Sequence, residues 1–268
     1  MRGLRHKFKT TLGEDSWSLL RQTVKLSSCL PVITIGGDQL TGKSTLASNL
    51  ARRFEGKLYS VGETLRDEAN RRGISIAEMC NLAKDDLSID LGVDMEMFRK
   101  ICEGNREGNP LIAQGRLPAV LATASQEFFD KPHNSIHRIY LKCSILEQTL
   151  RFMSREIGEE EYEIADNAFR GIQFESLEEA SEAVVSLPLQ DSSKDAILYE
   201  FQTNQRRDDD DRERFAELYG DEFDYRDSFF YDIEIDTSNI PSEETFRIAF
   251  ESIRESSVLK PYFFRVGC

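Results

Sequence analysis

Gly37, Gly42, Lys43 and Ser44 stand at the spacing G-x-x-x-x-G-K-[ST]. Glycines at this spacing let backbone N–H groups turn inward and wrap a phosphate. A helix beginning just behind them adds the positive end of its dipole. Lys43 is placed to reach the β/γ-phosphates of a nucleotide, and Ser44 to hold Mg²⁺. The cradle is Gly37, Asp38, Gln39, Leu40, Thr41, Gly42, Lys43, Ser44 and Thr45. Three of these are bulkier or more charged than a phosphate cradle usually carries: Asp38, Gln39 and Leu40. A leucine forced to positive φ is strained where glycine is not.

Phosphoryl transfer needs positioning and positive charge around the transferring group more than covalent chemistry. Arginines at element ends are therefore the next candidates: Arg66, Arg116, Arg151, Arg155, Arg207 and Arg214. Arg116 follows Gln114-Gly115 at the end of an apolar run, where ligands of open α/β sheets sit. Arg151 and Arg155 are four apart, on one helical face. Within the run 206–214, Arg207, Asp211 and Arg214 share a face at i, i+4 and i+7. Two guanidiniums there can clamp a phosphate while the carboxylate accepts from a ribose hydroxyl. The run reads equally well as a solvated charged helix.

The elements that must hold these residues alternate. Short apolar runs predict strands at Val32–Ile35, Leu58–Val61, Pro110–Gln114, Ile136–Leu141 and Tyr231–Ile235. Helical spacing predicts helices over Ser16–Leu26, 46–54, Thr64–Arg72, Ser75–Lys84, Met95–Gly104, Leu117–Phe129 and Ile145–Glu156, and one opened by Pro241. Ser75 and Glu78 form a capping box. Such alternation means a parallel sheet with right-handed crossovers, layered α/β/α. An acidic stretch at 157–206 reads as a solvated helical excursion over the site.

The chain has 268 residues and a net charge of −14. That charge argues against a general nucleic-acid or anionic-membrane partner. The five cysteines are scattered and form no C-x-x-C, so a reducing, cytoplasmic compartment is the simple reading. No apolar run reaches transmembrane length. Residues 1–13 carry no acids, which faintly resembles an organelle transit peptide. The preferred reading of the basic segment 1–30 is an extension with one short helix on the domain's edge. The domain then spans 31–256, with a tail at 257–268.

The order of pieces resembles the cytidylate kinases, in their short archaeal form, within the nucleoside monophosphate kinases. The matching pieces are Ile33–Gly37 with Gly42-Lys43-Ser44-Thr45, Val61-Gly62-Glu63-Thr64-Leu65-Arg66, Gln114-Gly115-Arg116-Leu117, 207–214, and 231–238. The resemblance implies a P-loop kinase fold: a five-stranded parallel sheet in three layers, with a helical lid and acceptor-binding excursion. It implies transfer of the γ-phosphoryl of Mg-ATP to CMP or dCMP. The sequence leaves the oligomeric state open, with a monomer favoured. Arg66, Arg116 and Arg214 would hold the acceptor phosphate. Asp211, with Arg207, would address the ribose or base. Arg151 and Arg155 would start the lid and neutralise the transferring group.

Two departures stand out. Gln114 replaces a carboxylate that usually organises Mg²⁺, its waters or the acceptor, and an amide only partly substitutes for it. Leu40 stands where the family usually has Gly. Two other readings stay open: a kinase for another small acceptor, and a nucleotide-binding regulatory protein with weak or no catalysis, which Gln114 and Leu40 favour.

Overall fold

A computed structural model describes residues 1–27, 30–132, 135–169, 171–220 and 223–256. The tail expected at 257–268 lies outside the described residues. The strands are Val32–Gly37 (β1), Lys57–Ser60 (β2), Leu111–Gln114 (β3), Ile136–Lys142 (β4) and Ile233–Asp236 (β5). The helices are Arg2–Leu26 (α1), Lys43–Phe54 (α2), Val61–Arg72 (α3), Ile76–Asp85 (α4), Leu87–Glu103 (α5), Pro118–Phe129 (α6), Ile145–Phe152 (α7), Glu159–Phe169 (α8), Leu177–Ser186 (α9), Asp191–Tyr219 (α10) and Ser242–Glu255 (α11).

All strand pairings are parallel, in the order β2-β3-β1-β4-β5. The central strand, β1, is buried along its whole length, as a sheet covered on both faces requires. Its side chains alternate between the covers. Ile33 and Ile35 pack with Leu46 and Leu50 of α2 and Ala249 and Ile253 of α11. Val32 packs on the other side with Phe98 of α5 and Leu121 of α6. Three layers result, and the end of β1 is flanked by the ends of β3 and β4. A separate apolar cluster (Leu150, Phe152, Met153, Phe169, Val184, Leu187) holds α7 to α9 together. Among the described residues no helix is long and apolar enough to cross a membrane.

Several elements differ from the sequence reading. The helix expected over Ser16–Leu26 begins at Arg2, with a break at Gly13 (φ 77°). It is no edge decoration, because Leu4 and Phe8 are fully buried against α5 and α10. The helix expected from Met95 begins at Leu87, because Asp86 caps it by accepting from Ser88 N at 3.0 Å. The strand expected to run through Val61 stops at Ser60. There the Ser60 hydroxyl accepts from Glu63 N at 3.3 Å and starts α3 early. The helix expected through Glu156 turns π-helical over Met153–Ile157 and ends at Gly158. The strand expected from Tyr231 begins at Ile233. Ser75 and Glu78 form the capping box. The acidic excursion is helical: α8, α9 and the first part of α10.

Candidate active site

The phosphate loop leaves the central strand. At Gly37 (φ 141°) a Cβ would lie 2.5 Å from Leu141 O and 2.9 Å from Thr41 Oγ1, so a side chain has no room. Gly42 (φ 90°) caps α2 in the left-handed region. Leu40 also sits there, at φ 59°, and the strain foreseen for it costs about 1–2 kcal/mol. Two contacts hold it in place. Its carbonyl accepts from Arg151 Nη1 at 3.1 Å, and its side chain packs on the α7–α9 cluster. Inside the loop, Thr41 Oγ1 donates to Asp38 O at 2.9 Å, and Lys43 Nζ donates to the same carbonyl. The Asp38 carboxylate, unexpected in an anion cradle, accepts from the Tyr225 hydroxyl at 2.9 Å and pairs with Arg226 Nη2 at 3.1 Å. A cation from the segment after α10 thus balances it.

On the β4 side, Ser144 caps α7 by accepting from Glu147 N at 3.2 Å. Arg151, two turns on, donates through Nε to Glu147 at 2.9 Å and through Nη1 to Thr237 Oγ1 at 3.1 Å. Thr237 lies just past β5 and also donates to Lys142 O at 2.9 Å. Arg151 therefore ties the phosphate loop to the ends of two strands. Arg155 is exposed on the π-helical turn. Both arginines line a pocket of about 430 Å³ together with Lys43, Ser44, Thr237 and Thr245. This pocket lies between the phosphate loop and α7.

On the β3 side, Gln114 Oε1 accepts from Ser44 Oγ at 3.2 Å, and its Nε2 donates to Ser60 Oγ at 3.0 Å. Ser44 and Gln114 thus present two neutral oxygens side by side. Mg²⁺ prefers oxygen donors and keeps several waters and substrate phosphates. The pair fits an ion that arrives with a nucleotide. Among the described residues no group of three His, Cys, Asp or Glu gathers into a cation cage.

Beyond Gln114, Arg116 pairs with Asp211, and its guanidinium lies 5.9 Å from the Tyr225 ring centroid. Asp211 also accepts from Arg214 Nη2, while Arg214 Nε donates to Asp90 Oδ2 at 2.7 Å. One turn along α5, Asp94 accepts from the Tyr219 hydroxyl at 2.6 Å. Burial pushes the Asp94 carboxyl up to about 8 and outweighs the Tyr219 hydrogen bond. Burial raises the Asp90 carboxyl as well, despite Arg214. For Arg214, burial works against the charge, but Asp211 and Asp90 overcome it and raise its pKa.

The sequence-derived residues separate into these two sides. Leu40 to Thr45, Arg151 and Arg155 gather at the pocket beside the phosphate loop, with Gly37, Asp38 and Gln39 leading into it from β1. Gln114, Arg116, Asp211 and Arg214 gather along β3, α5 and α10. Arg66 is exposed on α3, near Gly62 at the helix start. Arg207 falls within 201–209, whose side chains lie outside the described residues, so only Asp211 and Arg214 of the expected row are placed. Asp211 itself stands between Arg116 and Arg214, two of the three arginines expected to hold the acceptor phosphate. Sequence reasoning missed Asp90, Asp94, Tyr219, Tyr225 and Arg226. The signal for the first two was a pair of acids four apart inside the apolar run 87–98.

A family model described as an AAA domain matches residues 40–168. The chain is 29% identical over 217 residues to a cytidylate kinase of Methanopyrus kandleri, spanning 81% of this chain and 90% of that one. A cytidylate kinase of Desulfurococcus amylolyticus is 26% identical over 216 residues, spanning 81% and 89%. Another, of Methanocella arvoryzae, is 30% identical over 118 residues, spanning 41% of this chain and 67% of its own.

Proposed function

This chain belongs to the archaeal-type cytidylate kinase family, and from that premise we propose that it transfers the γ-phosphoryl group of Mg-ATP to CMP or dCMP. An oxygen of the acceptor's phosphate attacks Pγ in line. The bond from Pγ to the β,γ-bridging oxygen breaks, giving ADP and the cytidine diphosphate. A phosphate monoester is largely dianionic at neutral pH, since its second pKa is about 6, so the attack needs no general base. What the protein must supply is orientation and positive charge.

The observation that carries this reading is the Ser44–Gln114 contact, which joins the phosphate loop to the strand end that delivers Arg116. Lys43 holds the β/γ-phosphates. Arg151 and Arg155 neutralise the transferring group from the donor side. Arg66, Arg116 and Arg214 hold the acceptor phosphate. Asp211 leaves at least one of its arginines as the acceptor enters, and then accepts from a sugar hydroxyl, with Arg207 beside it on α10. Ser44 and Gln114 are the residues that would hold Mg²⁺, which would supply positive charge to the phosphates. Helices α8 and α9 close over the site as a lid and exclude water.

The test is turnover by coupled ADP release with Mg-ATP and CMP, dCMP, UMP, AMP or GMP. CMP and dCMP should be the fastest acceptors. Lys43→Ala should abolish turnover while far-UV CD stays unchanged. Absence of turnover with every monophosphate, or a wild-type rate in Lys43→Ala, would overturn the reading.

A further inference from the structure

Two features of the acceptor side have no role in the reading above: the acids Asp90 and Asp94 on α5, and the close packing of α1 behind them. We infer that Asp90 is a positioning residue for Arg214, and that Asp94, Tyr219 and the N-terminal helix hold α5 against α10 so that this contact forms. The inference rests on the reading of Arg214 as a ligand of the acceptor phosphate.

Arg214 reaches the site from α10 on a long side chain with many rotamers. Its guanidinium is fixed at two points. Nε donates to Asp90 Oδ2 at 2.7 Å, and Nη2 meets Asp211. Nη1 takes part in neither contact. Asp211 is shared with Arg116, so it cannot by itself set the orientation of Arg214. Asp90 is as buried as Asp211 but lies on a different helix from Arg214, which makes it the fixed point. A planar fork held at Nε presents its far edge in one direction.

The distance between α5 and α10 sets whether Asp90 reaches Nε. One turn along, the Tyr219 hydroxyl donates to Asp94 at 2.6 Å and links the same two helices in the same direction. Asp94, Phe98 and Tyr219 are all buried. Phe8 of α1 wedges behind them, with its ring 5.1 Å from Phe98 and 6.0 Å, edge-on, from Tyr219. Gly3 passes so close to the Tyr219 carbonyl that a Cβ there would collide with it. The N-terminal helix therefore backs the acceptor side and lies away from the phosphate loop. Loosening this clamp should affect the acceptor and spare ATP, which a general loss of stability would not do.

The experiment is a double-mutant cycle on the full chain, reading KM for CMP and for ATP separately. Asp90→Ala should raise KM for CMP about tenfold, the scale of one charge-assisted hydrogen bond, and leave KM for ATP within about twofold. Asp90→Asn keeps an oxygen acceptor and should fall between wild type and Asp90→Ala. Arg214→Ala should raise KM for CMP at least as far, and adding Asp90→Ala to it should change nothing more. Tyr219→Phe and Phe8→Ala, which keep the charges, should shift KM for CMP in the same direction by less. If Arg214→Ala leaves KM for CMP unchanged, the acceptor role of Arg214 itself fails, and the inference with it. If Arg214→Ala acts but Asp90→Ala does not, or the two effects add in full, only the positioning role fails. Should Asp90→Ala not fold, Asp90→Asn and Tyr219→Phe decide the question by the same split between CMP and ATP.

Discussion

Replacing Gln114 by Glu restores the carboxylate that the resemblance leads one to expect, and the surroundings of Gln114 allow its effect to be worked out. The side chain is 6% exposed. Its two contacts are with hydroxyls: Oε1 accepts from Ser44, and Nε2 donates to Ser60. In the Glu variant the second contact must reverse, with Ser60 turning its proton toward the new oxygen. Ser60 also accepts from Glu63 N, so this turn leaves the α3 cap intact. The free variant then buries a carboxylate that two hydroxyls only partly satisfy, at a cost of about 1–3 kcal/mol of stability. Once Mg-ATP binds, the same charge sits beside the ion held at Ser44 and strengthens its hold. A gain of about 1 kcal/mol in the transition state is about a fivefold rise in kcat. The assays are thermal unfolding with and without Mg-ATP, and coupled turnover with CMP across a Mg²⁺ titration. The expected outcome is a lower Tm in the free variant, recovery with Mg-ATP, half-saturation at lower Mg²⁺, and a higher kcat. A folded variant that is slower at every Mg²⁺ concentration, with unchanged half-saturation, would refute the reasoning. The amide would then serve a chemistry of this protein's own.

Three further outcomes follow from the same geometry. Leu40→Ala keeps the left-handed backbone and loses contact with the α7–α9 cluster, so it should destabilise by about 1 kcal/mol; Leu40→Gly also relieves the strain and should lie closer to wild type in urea unfolding, and the reverse order would show that Leu40 is not strained. Burial pushes the Asp94 carboxyl from its ordinary 3.8 up to about 8; its contribution to stability is complete below the lower value and drains away as pH rises toward the upper one, by up to about 1.4 kcal/mol per pH unit. Asp94→Asn cannot ionise, so its stability should be flatter between these limits, and parallel curves would remove Asp94 as the cause. Amides of α8 and α9 should exchange more slowly when ATP and CMP are both bound, and equal exchange with and without ligands would remove the lid.

The donor half of the site was legible because its signal is local. Glycine, lysine and serine at fixed spacing specify a loop wherever the chain runs, and the flanking apolar runs supplied the strand and the helix. Leu40 was legible as a conditional: if it took positive φ it would be strained, and it does. The acceptor half depends on contacts between α5 and α10, more than a hundred residues apart in the chain. Asp90 and Asp94 interrupt an apolar run, and the helix expected from Met95 begins at Leu87 with both acids turned toward α10. The N-terminal helix was hidden for a related reason. Leu4 and Phe8 lie before Gly13, and Trp17, Leu20 and Val24 after it. The break at Gly13 shifts the phase between these sets, so no single helical stripe runs through them, and the basic composition drew attention to the solvent side instead.

The place of this helix has a consequence for the way the protein is made. Phe8 leaves the ribosome well before its ring partners Phe98 and Tyr219. At about 5–20 residues per second, Tyr219 is synthesised ~10–40 s after Phe8. Throughout that interval Leu4 and Phe8 lack the α10 side of the surface that buries them in the finished molecule, and the phosphate loop still lacks Tyr225, Arg226 and Thr237. The contact of α1 with α10 therefore waits until most of the chain has been made, with β5 and α11 still to follow. Nascent chains halted before Tyr219 should carry an apolar N-terminus open to a chaperone, and chains that extend beyond it should not.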